Sequence, residues 1–226
     1  MKDAKSTNAR KVDTGKMVRM AILIAIIILM AFTPLGYLKT PTIEITFLMI
    51  PVAIAAIIVG PTGGAIAGGV FGLTSFFQCF GISWFGTTLF GINPIFTFIL
   101  CLIPRILAGW LPGLLYAAMS RRWNKTVSAI AASLAAPLLN TVLFITGLFF
   151  MFGSTDFVRG FGETTWAIIV VLVGINGLIE AGVGFIAGTA VSRALVHFFP
   201  GKRIDGHSPV IDSPESGARV SDSNSK

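Results

Sequence analysis

"PIFTFILCLIPRILAGWLPGLLYAAM", residues 94–119, contains one charge, Arg105, and no acid. An α-helix rises about 1.5 Å per residue, so about 20 apolar residues cross a hydrocarbon core of about 30 Å. The stretch is long and apolar enough to span a membrane. Its surroundings are equally poor in charge. Between Lys39 and Ser120 the only other acid or base is Glu44. Of the 226 residues, 54% are hydrophobic and 12% charged, whereas a soluble domain is about a quarter charged. A soluble helical protein of this composition could not cover itself with polar surface. The composition predicts an all-α integral membrane protein.

Working outward from 94–119, six spans are expected: 17–36, 43–59, 62–80, 94–119, 126–152 and 164–197. "GPTGG" (60–64), built from helix breakers, joins the second to the third. The membrane domain then covers 17–199 as a compact six-helix bundle. Residues 1–16 form a basic tail. Residues 200–226, rich in Ser, Gly, Pro and Asp, are expected to be disordered. The basic start followed by an apolar run has the outline of a signal peptide. No small-x-small cleavage site follows, so it reads as a retained first helix.

Lysine and arginine fix the expected orientation. Lys2, Lys5, Arg10, Lys11, Lys16 and Arg19 precede or open the first span. Arg121, Arg122 and Lys125 lie between the fourth and fifth, and Arg193, Lys202 and Arg203 close the sixth. The opposite side carries only Lys39 and Arg159. Both termini are therefore expected in the cytoplasm. The net charge of +7 reads as a topology signal and not as a nucleic-acid surface. Cys79 and Cys101 fall in different segments, with no disulfide framework or metal-ligand spacing.

Small residues mark two helices. Gly60, Gly64, Gly68 and Gly72 recur every four residues along the third span. Such a stripe lets helices pack closely in lipid. No lysine follows to make it a phosphate-binding loop. In "RMAILIAIIILM" (19–30), Ala21 and Ala25 form a shallow notch, which serves either internal packing or docking of another membrane protein. The connection "CFGISWFGTTLFGIN" (79–93) is uncharged, aromatic and glycine-rich. Its Trp84 could anchor the membrane interface, or the segment could be a flexible lid over a small ligand. "YLKTP" (37–41) could border the same mouth.

Ionisable groups inside a bilayer are costly and mark pairing or function. Arg105 falls near the middle of the fourth span, Asn140 of the fifth and Glu180 of the sixth, with Asn176 one turn from Glu180. All four share roughly one membrane level. Asn93 and Glu44 lie nearer the outer surface. Two readings stand: Arg105 and Glu180 neutralise each other, or Arg105 faces a ligand carboxylate while Asn140, Asn176 and Glu180 supply hydrogen bonds. An arginine fork has donors enough for both. The two histidines, His197 and His207, lie at the end of the last span and in the tail. None is therefore placed for an intramembrane protease or metal site. With no paired carboxylates and no nucleotide-binding loop, no enzyme, metal or cofactor is expected.

The stretches 47–76, 93–117, 138–153 and 175–191, with the Ala21–Ala25 notch and the glycine-rich third helix, resemble the substrate-binding S components of energy-coupling factor (ECF) vitamin transporters. They look most like the pantothenate-type branch. The resemblance covers about residues 17 to 197. It implies vitamin binding from outside, between the outer halves of spans four to six, with Arg105, Asn93, Asn140, Asn176, Glu180 and Trp84 as substrate-binding candidates. It implies docking through Ala21 and Ala25 onto a membrane-embedded coupling subunit, with two cytoplasmic ATPases driving the cycle. Pantothenate is the expected vitamin, with folate or another anionic vitamin as the alternative. The competing functional classes are a self-contained secondary transporter or channel, with Glu180 as a proton site, and a ligand-free membrane scaffold.

Overall fold

The computed structural model describes residues 14–33, 36–39 and 44–160, together with isolated positions between 179 and 190. Those positions apart, the expected sixth span, with Asn176 and Glu180, lies outside the described residues, as do residues 1–13 and 200–226. The elements in chain order are α1 (Thr14–Ala31), β1 (Tyr37–Lys39), β2 (Glu44–Thr46), α2 (Met49–Ile58), α3 (Pro61–Gln78), α4 (Trp84–Ile92), α5 (Pro94–Met119), α6 (Lys125–Phe152) and α7 (Asp156–Arg159). Among the described residues, three helices are long and apolar enough to cross a membrane: α1, α5 and α6. Large apolar side chains stand exposed along them, Phe150 at 91%, as a lipid-facing surface permits.

α5 matches the expected fourth span at both ends. Asn93 caps it, its Oδ1 accepting from the Ile95 and Phe96 amides at 3.1 Å each. Pro94 takes the first helical position, where a missing N–H costs nothing. Asn124 caps α6 in the same way, accepting from the Thr126 amide.

The second span requires correction. Residues 43–59 are not one helix. The alternation Ile43-Glu44-Ile45-Thr46 suits extended backbone, and Glu44–Thr46 pairs antiparallel with Tyr37–Lys39, Leu38 opposite Ile45. Apart from this short ribbon the elements among the described residues are helices, in line with the all-α expectation. Only Met49–Ile58 is helical, about 15 Å long and about half a hydrocarbon core. Pro51 falls in its first turn, where amides lack intrahelical partners. α2 is nevertheless central. Val52, Ala53 and Ala55 are buried in one cluster with Leu23 and Ile27 of α1, Phe71 of α3, Ala108 of α5 and Ala136 of α6.

α3 and α5 form the closest crossing. A Cβ added at Gly64 would strike the Gly109 carbonyl, one at Gly68 the Arg105 carbonyl, and one at Gly72 would lie 2.8 Å from the Cys101 carbonyl. The rising series on α3 meets a falling series on α5, so the helices run antiparallel, backbone against backbone. Gly60, the fourth member of the expected stripe, has another task. Its φ of 106° makes it the turn residue that caps α3 before Pro61. At the far end of α3, buried Gln78 donates from Nε2 to the Ala31 carbonyl at 2.6 Å, closing the last turn of α1. Cys79 and Cys101, remote in sequence, bring their Sγ atoms within 3.9 Å beside this crossing.

The connection 79–93 is also corrected. It is not a flexible loop: Trp84–Ile92 is helical, capped by the Ser83 hydroxyl, which accepts from the Gly86 amide at 3.2 Å. Leu89 is buried against Leu100, Leu148, Phe152 and Val158. Gly86 packs against Cys79, while Gly81, with a φ of 111°, turns the chain ahead of α4.

Candidate functional site

Arg105 stands where α3, α5 and α6 meet. Side chains on a helix lean toward its N-terminus, and Arg105 reaches back along α5 until Nη1 donates to the Leu100 carbonyl at 2.9 Å. That carbonyl is open for a local reason. In a regular helix it would accept from the amide of residue 104, but Pro104 has none. The guanidinium carbon lies 4.5 Å from the centroid of the Phe144 ring and 5.5 Å from that of Phe71, within cation–π range of both. Nε is buried and has no hydrogen-bond partner among the described residues. Of the two acids among the described residues, Asp156 is exposed in α7 and Glu44 sits in β2. No ion pair to Arg105 occurs among the described residues.

Asn140 lies on the neighbouring helix about a turn away in height. The Phe96 and Phe152 rings meet at 6.2 Å, so the start of α5 and the end of α6 are adjacent. At about 1.5 Å per residue, Arg105 lies about 14 Å along α5 from Phe96, and Asn140 about 18 Å along α6 from Phe152. Asn140 is one turn from Phe144, the ring beneath the guanidinium. It is 5% exposed, and its Oδ1 is buried without a partner among the described residues. Seven residues earlier on the same stripe of α6, Ser133 is 2% exposed with an equally unpartnered Oγ. A buried polar atom left without a hydrogen bond costs about 1–3 kcal/mol. Of these atoms Arg105 Nε is a cationic donor and Asn140 Oδ1 an acceptor, while Ser133 Oγ, a hydroxyl that both donates and accepts, lies about 11 Å further along α6. That set suits a small ligand carrying an anion and hydrogen-bond donors.

An aromatic wall extends from this region. Phe144 meets Phe85 of α4 (6.4 Å), Phe85 meets Phe157 of α7 (5.6 Å), and Phe157 meets Trp84 (6.1 Å). Trp84 is 47% exposed and stands at the outer edge of the wall, away from Arg105. Asn93 is also apart: its Oδ1 is committed to the cap of α5, about 18 Å from Arg105 along the helix. Arg105 and Asn140 thus stand on neighbouring helices about a turn apart in height, whereas Asn93 lies at the far end of α5 and Trp84 reaches Phe144 only through Phe85. Asn176 and Glu180 lie outside the described residues. Ala21 and Ala25 are exposed on α1, opposite the buried Leu23 and Ile27.

Sequence reasoning missed Phe71, Phe144, Ser133 and the open carbonyl of Leu100. Only the last had a local signal, a proline four residues on. The aromatic partners come from other helices, and only the packing reveals them.

Residues 15–191 match the family described as "ECF transporter, substrate-specific component". The pantothenic acid transporter PanT of Lactococcus lactis subsp. cremoris is 31% identical over 200 residues, covering 82% of this chain and 96% of that protein. The pantothenate transporter PanT of Leuconostoc mesenteroides subsp. mesenteroides is 29% identical over 193 residues, covering 81% and 93%.

Proposed function

Because this chain belongs to the substrate-specific components of ECF transporters, and is thus a membrane transport protein, we propose that it captures pantothenate for import. The observation that carries the reading is Arg105: a half-buried cation whose Nε has no partner among the described residues, on the helix packed against the one that carries Asn140 and its equally unpartnered Oδ1. Pantothenate carries one carboxylate, an amide and two hydroxyls. The carboxylate takes the guanidinium edge, and a hydroxyl or the amide N–H donates to Asn140. The flat faces of Phe71 and Phe144 keep water from the charge, which strengthens its attraction. The names of both relatives support the choice of vitamin.

The remaining parts follow from the same reading. The lysine and arginine distribution supports cytoplasmic termini and substrate entry from outside. The exposed alanines of α1 offer a small-residue surface to a membrane-embedded coupling subunit. Two cytoplasmic ATPases bound to that subunit supply the energy. Asn176 and Glu180 complete the hydrogen bonding of the substrate from the last span, and Trp84 borders the route by which it enters.

A calorimetric panel of water-soluble vitamins, run on the purified chain without ATP, tests this reading. Saturable binding of pantothenate ahead of folate and uncharged vitamins is expected. Proton-coupled uptake by vesicles holding this chain alone would refute it in favour of a self-contained transporter.

A further inference from the structure

We propose that Pro104 is a positioning residue for substrate recognition: it withholds the amide that would occupy the Leu100 carbonyl, and the freed carbonyl holds Arg105 by Nη1. The inference rests on the reading of Arg105 as the carboxylate-binding group.

Three prolines interrupt the long helices: Pro104 and Pro112 in α5, Pro137 in α6. Each lacks the N–H that would bond the carbonyl four residues earlier. In a membrane interior such a carbonyl must find another donor. Only Pro104 is followed directly by a cation, and that cation supplies the donor: Nη1 to Leu100 O at 2.9 Å. The bond ties down one edge of the guanidinium. The opposite edge, Nε with Nη2, is the planar fork that matches a carboxylate, and Nε has no partner among the described residues. Phe71 and Phe144 confine the plane from α3 and α6. The tether therefore removes rotamer freedom before the substrate arrives, so less is lost on binding.

An alanine at 104 would restore the helical amide. Its N–H would take the Leu100 carbonyl, and Nη1 would be released. The helix itself should tolerate or welcome the change, because proline is the poorest interior helix residue. The test compares wild type, Pro104→Ala, and a backbone-ester variant carrying the hydroxy-acid counterpart of alanine at 104. The ester has neither ring nor N–H and leaves the Leu100 carbonyl open. Each is titrated with pantothenate and with panthenol, the alcohol that lacks the carboxylate.

Wild type should prefer the acid. Pro104→Ala should lose about tenfold or more in pantothenate affinity, the scale of one charge-assisted contact, while panthenol affinity stays put. The ester should retain the wild-type preference. Equal losses for both ligands in Pro104→Ala would mark a structural role and overturn the proposal. So would an unchanged preference, or an ester that behaves like the alanine. A wild type that does not prefer the acid would remove the carboxylate reading of Arg105 itself, and the positioning role with it.

Discussion

Gly68→Ala adds one methyl group where α3 crosses α5. That carbon would land on the carbonyl of Arg105, with the carbonyl carbon at 2.9 Å and Ile106 Cα at 3.3 Å. All three are backbone atoms, so no side chain can swing aside. Ordinary contact is at about 3.5–4.0 Å, so the helices must part by about 1 Å. The neighbouring Gly64–Gly109 and Gly72–Cys101 approaches would loosen with them. Overpacking of this kind costs about 1–3 kcal/mol, against up to about 1 kcal/mol gained from replacing glycine within a helix. The net is about 1 kcal/mol of destabilisation, or about 2–4 °C in Tm for a chain of this size. Gly69→Ala is the control. Its new carbon would meet only Ile106 Cγ1 at 3.7 Å, and Tm should hold or rise. Thermal unfolding of both variants in one detergent reads the difference. Because the carbonyl struck is that of Arg105, pantothenate affinity should fall in Gly68→Ala alone. A Gly68→Ala protein as stable as Gly69→Ala would refute the backbone-to-backbone crossing that positions Arg105.

Three further outcomes are expected. Asn140→Leu removes an acceptor with no protein partner, so Tm should not fall, while ligand affinity drops about fivefold for one lost hydrogen bond of about 1 kcal/mol; parallel melting and titration would check both. Ala21→Trp and Ala25→Trp should abolish uptake in cells containing the coupling subunit and ATPases while the purified variants bind vitamin normally; normal uptake would end the docking assignment. The two-electron oxidant diamide should close a Cys79–Cys101 disulfide, seen by mass spectrometry as the loss of two hydrogens; the thiols are 3.9 Å apart, and failure to cross-link would contradict the placement of α3 beside α5.

The legible parts of the fold were those set by local chemistry. α5 could be bounded because its apolar run starts after Asn93-Pro94 and stops before Arg121. The glycine stripe could be read as a packing face because its period matches a helix. Residues 43–59 misled because average hydropathy hides the β-branched alternation that makes Glu44–Thr46 a strand. Residues 79–93 misled because glycines suggest flexibility, whereas Ser83 and the burial of Leu89 fold them into α4. In the candidate site, charge and amide positions drew attention to Arg105 and Asn140, since any charge or amide in an apolar run is conspicuous. Asn93 was equally conspicuous, but its polarity serves the cap of α5. Phe71 and Phe144 were invisible among the chain's 19 phenylalanines, because only the packing of three helices selects them.

The central claim is that Arg105 holds a substrate carboxylate. Calorimetric titration of pantothenate into purified wild type and Arg105→Gln tests it most directly. Glutamine keeps a hydrogen-bonding side chain and loses the charge and the fork. Removing one partner of a desolvated charge pair costs about 2–5 kcal/mol, or about thirtyfold or more in Kd. The account predicts saturable binding to wild type and a loss of at least that size in Arg105→Gln. An Arg105→Gln protein that binds pantothenate as tightly as wild type would contradict it.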